Sequence, residues 1–156
     1  MKVTVLGVGN PIMGDDAVGL ELLARVHKEF GAAEGIKFVD GGTAGLENLT
    51  VVQDAEGLLL LDALAGPGAP GSVVTLEGDQ IPRLLQSKLS PHQVGLLDLL
   101  SAARLLGTEP ARVGVVGVVV ADTQLHVGMT EVVTNALPAA TAAAVTLIQS
   151  WVSTST

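Results

Sequence analysis

The chain has 156 residues, no cysteine and a formal net charge of −8, with 48% apolar but only 2% aromatic residues. That length suits one compact domain, its core built from Val, Leu, Ile and Ala. The lack of cysteine excludes disulfides, thiolate metal sites and a Cys nucleophile, and the acidic balance argues against nucleic acid as a partner, because phosphate neutralisation needs clustered Lys and Arg.

In chain order, residues 3–8 form a β-branched and apolar run ending in glycine, as expected of a strand buried on both faces. Asp15 or Asp16 then opens a helix whose apolar stripe is Ala17, Val18, Leu20, Leu22, Leu23 and Val26, ending before Gly31. Residues 36–40 read as a second strand, followed by the turn Gly41-Gly42-Thr43 and a short helix over 44–52. Residues 58–62 form the third strand. The Pro- and Gly-rich stretch 66–71 is a loop before a fourth strand at 72–76.

Ser90-Pro91-His92-Gln93 is a helix start, with Ser as N-cap, Pro at the first helical position and Gln completing a capping box. That helix runs to about Leu106 and stops at Gly107. The apolar stretch 113–121, interrupted by Gly114 and Gly117, is a buried strand, and a last helical region over 130–152 should be kinked or split at Pro138. The pattern predicts an α/β fold, a single domain spanning 1–156, with a mostly parallel twisted sheet of about five strands and helices on both faces. The fourth strand, which has no crossover helix of its own, is a candidate for antiparallel pairing. No apolar run approaches the roughly 18 to 20 residues of a membrane span, and the N-terminal residues lack a cleavable apolar leader. The expectation is a cytoplasmic protein with no membrane insertion.

Three acids follow the first three strands: Asp16, Asp40 and Asp62. If those strands are parallel neighbours, the carboxylates meet at the edge where open α/β sheets bind ligands. Gly7-Val8-Gly9 resembles the start of a dinucleotide fingerprint, but Ile12 stands where the third glycine is needed, and Asp15 and Asp16 would compete with phosphate for the helix N-terminus. A structural reading makes Asp15 and Asp16 an N-cap and a first-turn acid, and makes Asp40 a turn former. His92, in a first helical turn, offers a neutral ring nitrogen. Asp16, Asp62 and His92 would together make an oxygen, oxygen, nitrogen set suited to nickel or zinc. His27 is expected to face solvent, and His126 follows the last strand. No G-x-S-x-G elbow is present.

Four blocks carry a family resemblance. They are Gly7-Val8-Gly9-Asn10-Pro11 through Asp15-Asp16-Ala17-Val18-Gly19, then Asp40-Gly41-Gly42-Thr43-Ala44-Gly45, then Leu61-Asp62-Ala63, and finally Ser90-Pro91-His92-Gln93-Val94-Gly95-Leu96. In this order and spacing the chain resembles the hydrogenase maturation endopeptidases, the members serving uptake-type hydrogenases most of all. The resemblance implies a metal-dependent endopeptidase that removes the C-terminal extension of a nickel-iron hydrogenase large-subunit precursor after nickel insertion, with nickel supplied by that precursor. It implies Asp16, Asp62 and His92 as the metal set, with Asp16 standing where relatives often carry Glu. Either the metal polarises the scissile carbonyl or a carboxylate, Asp16 or Asp40, activates water, while Gly41, Gly42 and Thr43 lie against the substrate peptide. A non-catalytic nickel or precursor scaffold and a nucleotide-binding module are the alternatives.

Overall fold

The computed structural model describes residues 1–43, 46–66, 68–78, 80–81 and 91–153, with backbone alone for residues 46 and 91–97. Along the chain it forms β1 (Val3–Gly7), a 3-10 turn (Gly14–Ala17), α1 (Val18–Phe30), β2 (Ile36–Asp40), a second 3-10 turn (Leu46–Asn48) and α2 (Leu49–Asp54). Then come β3 (Gly57–Leu64), β4 (Val73–Glu77), α3 (Pro91–Leu105), β5 (Arg112–Val119) and α4 (Glu131–Ser153). The strands make one sheet in the order β2-β1-β3-β5-β4. All pairs are parallel except β4 on β5, which is antiparallel.

β1 therefore has β2 on one side and β3 on the other. The chain leaves β1 through α1 toward β2 and comes back past it through α2 to β3, which creates a topological switch point at the carboxyl ends of β1 and β3. Two apolar layers hold this arrangement. On one face Val18, Leu22 and Val26 of α1 and Leu137, Ala140, Ala144, Ile148 and Trp151 of α4 pack on Val5, Leu59, Leu61 and Val116. On the other, Val52 of α2 and Leu99 and Ala103 of α3 cover Leu6, Val8, Leu58, Leu60 and Val115. With so few aromatics, Trp151 fills a place made for it by two glycines. A Cβ on Gly57 or Gly114 would lie 3.1 Å from its ring.

The structure departs from the sequence expectations at three places. The third strand continues past Asp62 to Leu64, with all eight residues buried, because β5 pairs with it over that whole length. The first helix is not opened by Asp15 or Asp16; both lie in the 3-10 turn before it, and neither helix start carries a side-chain cap. The last helix is one element of 23 residues containing Pro138. Pro138 and Thr134, whose carbonyl loses its helical donor, are both exposed, and the stripe buried on either side of the proline keeps the helix in place. This helix is long and apolar enough to cross a membrane by length and composition, contrary to the reading of the sequence, yet its apolar stripe is the layer that covers the sheet. Ala44, Gly45 and the expected cap Ser90 lie outside the described residues.

α1 approaches the switch point through Gly19. A Cβ there would stand 2.1 Å from the Val8 carbonyl oxygen and 2.5 Å from that of Leu61. Gly19→Ala would gain up to about 1 kcal/mol in helix propensity, but its methyl meets backbone that cannot rotate away, at a cost of up to about 3 kcal/mol. The overlap wins, and urea denaturation of Gly19→Ala is expected to show a net loss of roughly 2 kcal/mol.

Candidate active site

The loop after β1 runs along the switch point. Its backbone is held on both sides, by Val8 N–H donating to Leu61 O (3.0 Å) and Gly9 N–H donating to Gly42 O (2.8 Å). It then drops onto the 3-10 turn, where a Cβ on Gly9 would meet the Asp16 carbonyl oxygen at 2.2 Å. This close packing fixes Asp16 at the carboxyl edge, 9% exposed. Its Oδ2 accepts the Asn10 N–H at 2.9 Å, the kind of donor that a bound phosphate would need.

Asp62 lies within β3 and is 1% exposed. It alternates in phase with Leu58 and Leu60, whose side chains enter the α2 and α3 layer, so it points to the face covered by the helix that carries His92 in its first turn. One oxygen accepts the Ala63 N–H at 2.7 Å. Space for the crossing β5 backbone comes from Gly117, the register partner of Asp62, where a Cβ would stand 2.7 Å from the Asp62 carbonyl oxygen. The His92 side chain lies outside the described residues, and among the described residues no group of three His, Cys, Asp or Glu suited to a metal ion is complete.

Asp40 ends β2, in register with Gly7, which is also the partner of Leu61. It stands on the same edge as Asp62 but two strands away, roughly 10 Å at the usual strand spacing, and with the opposite pleat phase. Its Oδ1 accepts the Gly42 N–H at 2.9 Å, an Asx turn that sets Gly41-Gly42-Thr43 beside the β1 loop. Gly42 has φ +55°, a conformation natural to glycine. The buried Asn48, which the sequence reading passed over, holds the same turn by donating its Nδ2 to Gly41 O at 2.9 Å. Of the other histidines, His27 is exposed and stacks on Phe38 at 4.3 Å between ring centroids. His126 lies on the loop after β5, its Nε2 3.3 Å from Asp122 Oδ2.

The two adjacent aspartates divide in role. Asp15 is fully buried, and its carboxylate accepts the N–H groups of Ala121 (2.9 Å), Asp122 (3.0 Å) and Thr130 (2.6 Å). The Thr130 hydroxyl lies 3.0 and 2.9 Å from its two oxygens. Burial pushes this carboxyl group up, but the backbone donors of Thr130, Asp122 and Ala121 and the Thr130 hydroxyl outweigh it, so it lies below the ordinary carboxylate value. No signal in the sequence marks this clamp, because its partners are mostly backbone groups 106 to 115 residues away.

The sheet is a doubly wound α/β sheet whose switch point carries two nearly buried carboxylates, with an Asx-turn acid farther along the same edge, the position where such sheets bind ligands. Comparison with known proteins narrows the class. Residues 20–147 match the family described as hydrogenase maturation protease. The chain is 36% identical over 134 residues to the hydrogenase 2 maturation protease of Escherichia coli (strain K12), covering 85% of this chain and 82% of that protein. It is 32% identical over 152 residues to the hydrogenase expression/formation protein HupD of Rhizobium leguminosarum bv. viciae, covering 96% and 75%. The hydrogenase maturating endopeptidase HybD from Escherichia coli superposes with a TM-score of 0.89 at 32% identity, covering 96% of this chain and 93% of that one. This chain belongs to the hydrogenase maturation protease family.

The clamp makes a pH-dependent prediction. A carboxyl group lowered by folding contributes stability above its unfolded value, and that contribution is lost as pH falls through the folded value. Asp15→Asn, which turns an amide toward backbone donors, should cost about 3 kcal/mol at pH 7. Its deficit relative to the wild type should shrink as pH falls below the ordinary carboxylate range, read by urea denaturation across pH 3 to 7.

Proposed function

We propose that this protease removes the C-terminal extension of a nickel-iron hydrogenase large-subunit precursor once nickel has been inserted, and that it does so in the cytoplasm. What supports the reading best is the position of the two acids at the switch point. Asp16 reaches it from the β1 loop, Asp62 points from β3 toward the α3 face, and α3 begins with the turn that carries His92. Two carboxylates and an imidazole would then engage nickel, which belongs to the substrate and arrives with it. The fit rests on the donor chemistry, since hard carboxylate oxygens and an imidazole nitrogen are accepted ligands for a divalent ion of this kind.

In this reading nickel is the feature by which a loaded precursor is distinguished from an unloaded one, and its presence fixes where the tail lies. The tail would run along the Gly41-Gly42-Thr43 turn, which has little side-chain bulk and is held open by Asp40 and Asn48. Asp16 or Asp40 would take the proton of the attacking water, a role typically worth two to four orders of magnitude in rate. β1 and its loop fill the space between the ends of β2 and β3, so in this reading the tail crosses over the carboxyl edge rather than between the strands.

The test is the intact mass of a cognate large-subunit precursor, with and without nickel, after incubation with this protein. A defined C-terminal loss from the loaded precursor alone is expected, and Asp62→Ala and His92→Ala should each abolish it. Asp40→Asn, which keeps the turn's acceptor, decides between the two bases: a loss of at least about a hundredfold in rate assigns the role to Asp40, and a near-normal rate assigns it to Asp16, while Asp16→Glu should retain processing. Binding of the loaded precursor with no change of mass would instead make the protein a scaffold, and full processing by Asp62→Ala or His92→Ala would refute the metal set.

A further inference from the structure

The loop between β5 and α4 combines two properties that rarely coincide. Its backbone is firmly anchored, through Ala121, Asp122 and Thr130 to the Asp15 carboxylate, through the Asp122 and His126 carbonyls to the N–H groups of Asp15 (2.8 Å) and Gly14 (2.9 Å), and through a parallel bridge between His126 and Met13. Yet it holds Leu125 and Val127 out in solvent, 73% and 82% exposed. The bridge sets Ile12, 50% exposed, beside them. Ile12 is itself tied to the site, since its N–H donates to Asn10 Oδ1 (3.1 Å) and the Asn10 N–H donates to Asp16. Ordering a loop costs conformational entropy that a merely connecting segment need not lose, and exposed apolar side chains on an ordered rim are what a preorganised interface requires.

We infer that Ile12, Leu125 and Val127 form a docking face for the folded body of the protein substrate, adjoining the acidic crevice that receives its tail. The inference rests on the reading of that crevice as the processing site, and it deepens it. The crevice alone contacts a short peptide and its metal, whereas specific recognition of a folded protein ordinarily needs about 800 Å² on each partner. A precursor that presents its tail to Asp16 and Asp62 must cover the rim on which these three side chains stand.

Charge selects among possible occupants. Residues 8–17, 40–43, 65–66, 68–72 and 120–130, the described segments at this edge, contain no Lys or Arg and include Asp15, Asp16, Asp40 and Asp122. A second copy of the chain docked through the same face would bring acid against acid at a net charge of −8 on each partner, and would close the crevice. An anionic lipid surface is opposed by the same charge. The occupant that fits is a protein with an apolar patch beside a cationic or metal-bearing feature.

The test uses the full chain and a cognate large-subunit precursor. Leu125→Ser, Val127→Ser and the double variant change exposed side chains only, and their urea midpoints confirm folding. Processing kinetics on the loaded precursor should show KM raised about tenfold or more in the double variant with kcat held, as for loss of an interface anchor. An unchanged KM overturns the docking face while leaving the processing reading intact. If the wild type binds the precursor but does not cut it, the processing reading fails and affinity decides: weaker binding by the double variant supports the face, and equal binding overturns it. If the wild type neither binds nor cuts, both fail. Sedimentation velocity and vesicle flotation complete the test, since a dimer or a vesicle association lost in the double variant assigns the face to that occupant and overturns the inference.

Discussion

One buried carboxylate joins the first crossover of the sheet to the loop after its last strand. Asp15 gathers the backbone donors of Ala121, Asp122 and Thr130, and this interaction fixes the end of β5, the start of α4 and the turn that presents Asp16. Charge-assisted hydrogen bonds of this kind are shorter and stronger than neutral ones, and here they are shielded from water. The position of the neighbouring acid follows from it. The turn on which Asp16 stands is held by the residue before it and by the packing of Gly9, and Asp16 in turn holds the β1 loop through the Asn10 N–H.

Two adjacent aspartates, one of them clamped by backbone groups more than a hundred residues away, illustrate what the sequence could and could not tell. Elements bounded by glycine were legible: β1 stops at Gly7, α1 at Phe30 before Gly31, and α3 at Leu105 before the Leu106-Gly107 turn. Alternation and crossover logic also led to a mostly parallel sheet whose fourth strand runs the other way. The continuation of β3 beyond Asp62 was not legible, because a carboxylate at the end of a leucine run reads as a boundary. Only the pairing with Gly117, Val118 and Val119 across the sheet carries the strand on. Of the two outcomes expected at Pro138, a kink or a split, the split does not occur, for a similar reason. Proline signals a break locally, whereas the stripe from Val133 to Trp151 is satisfied only by a sheet distant in sequence.

For the candidate site, sequence identified which residue types were unusual and structure supplied their spatial relation. Asp16 and Asp62 lie at one switch point, while Asp40, expected beside them, stands on the outer strand and orients a turn. The separation divides the acids of this edge into a pair near β3 and a single turn-forming acid on β2. Asn10 and Asn48 escaped notice because asparagine in a glycine-rich loop is ordinary. Their hydrogen bonds to the Asp16 carboxylate and the Gly41 carbonyl close loops of six and seven residues, whose shape no periodicity in the sequence specifies.

The placement of the single indole has a spectroscopic consequence. Trp151 is the only tryptophan and there is no tyrosine, so the intrinsic emission of the protein comes from one ring wedged against Gly57 and Gly114. Those glycines lie near the amino ends of β3 and β5, at the far end of the sheet from Asp16 and Asp62. Emission should therefore follow the release of α4 from the sheet and remain indifferent to what enters the crevice, giving a clean optical measure of folding but a blind one for occupancy.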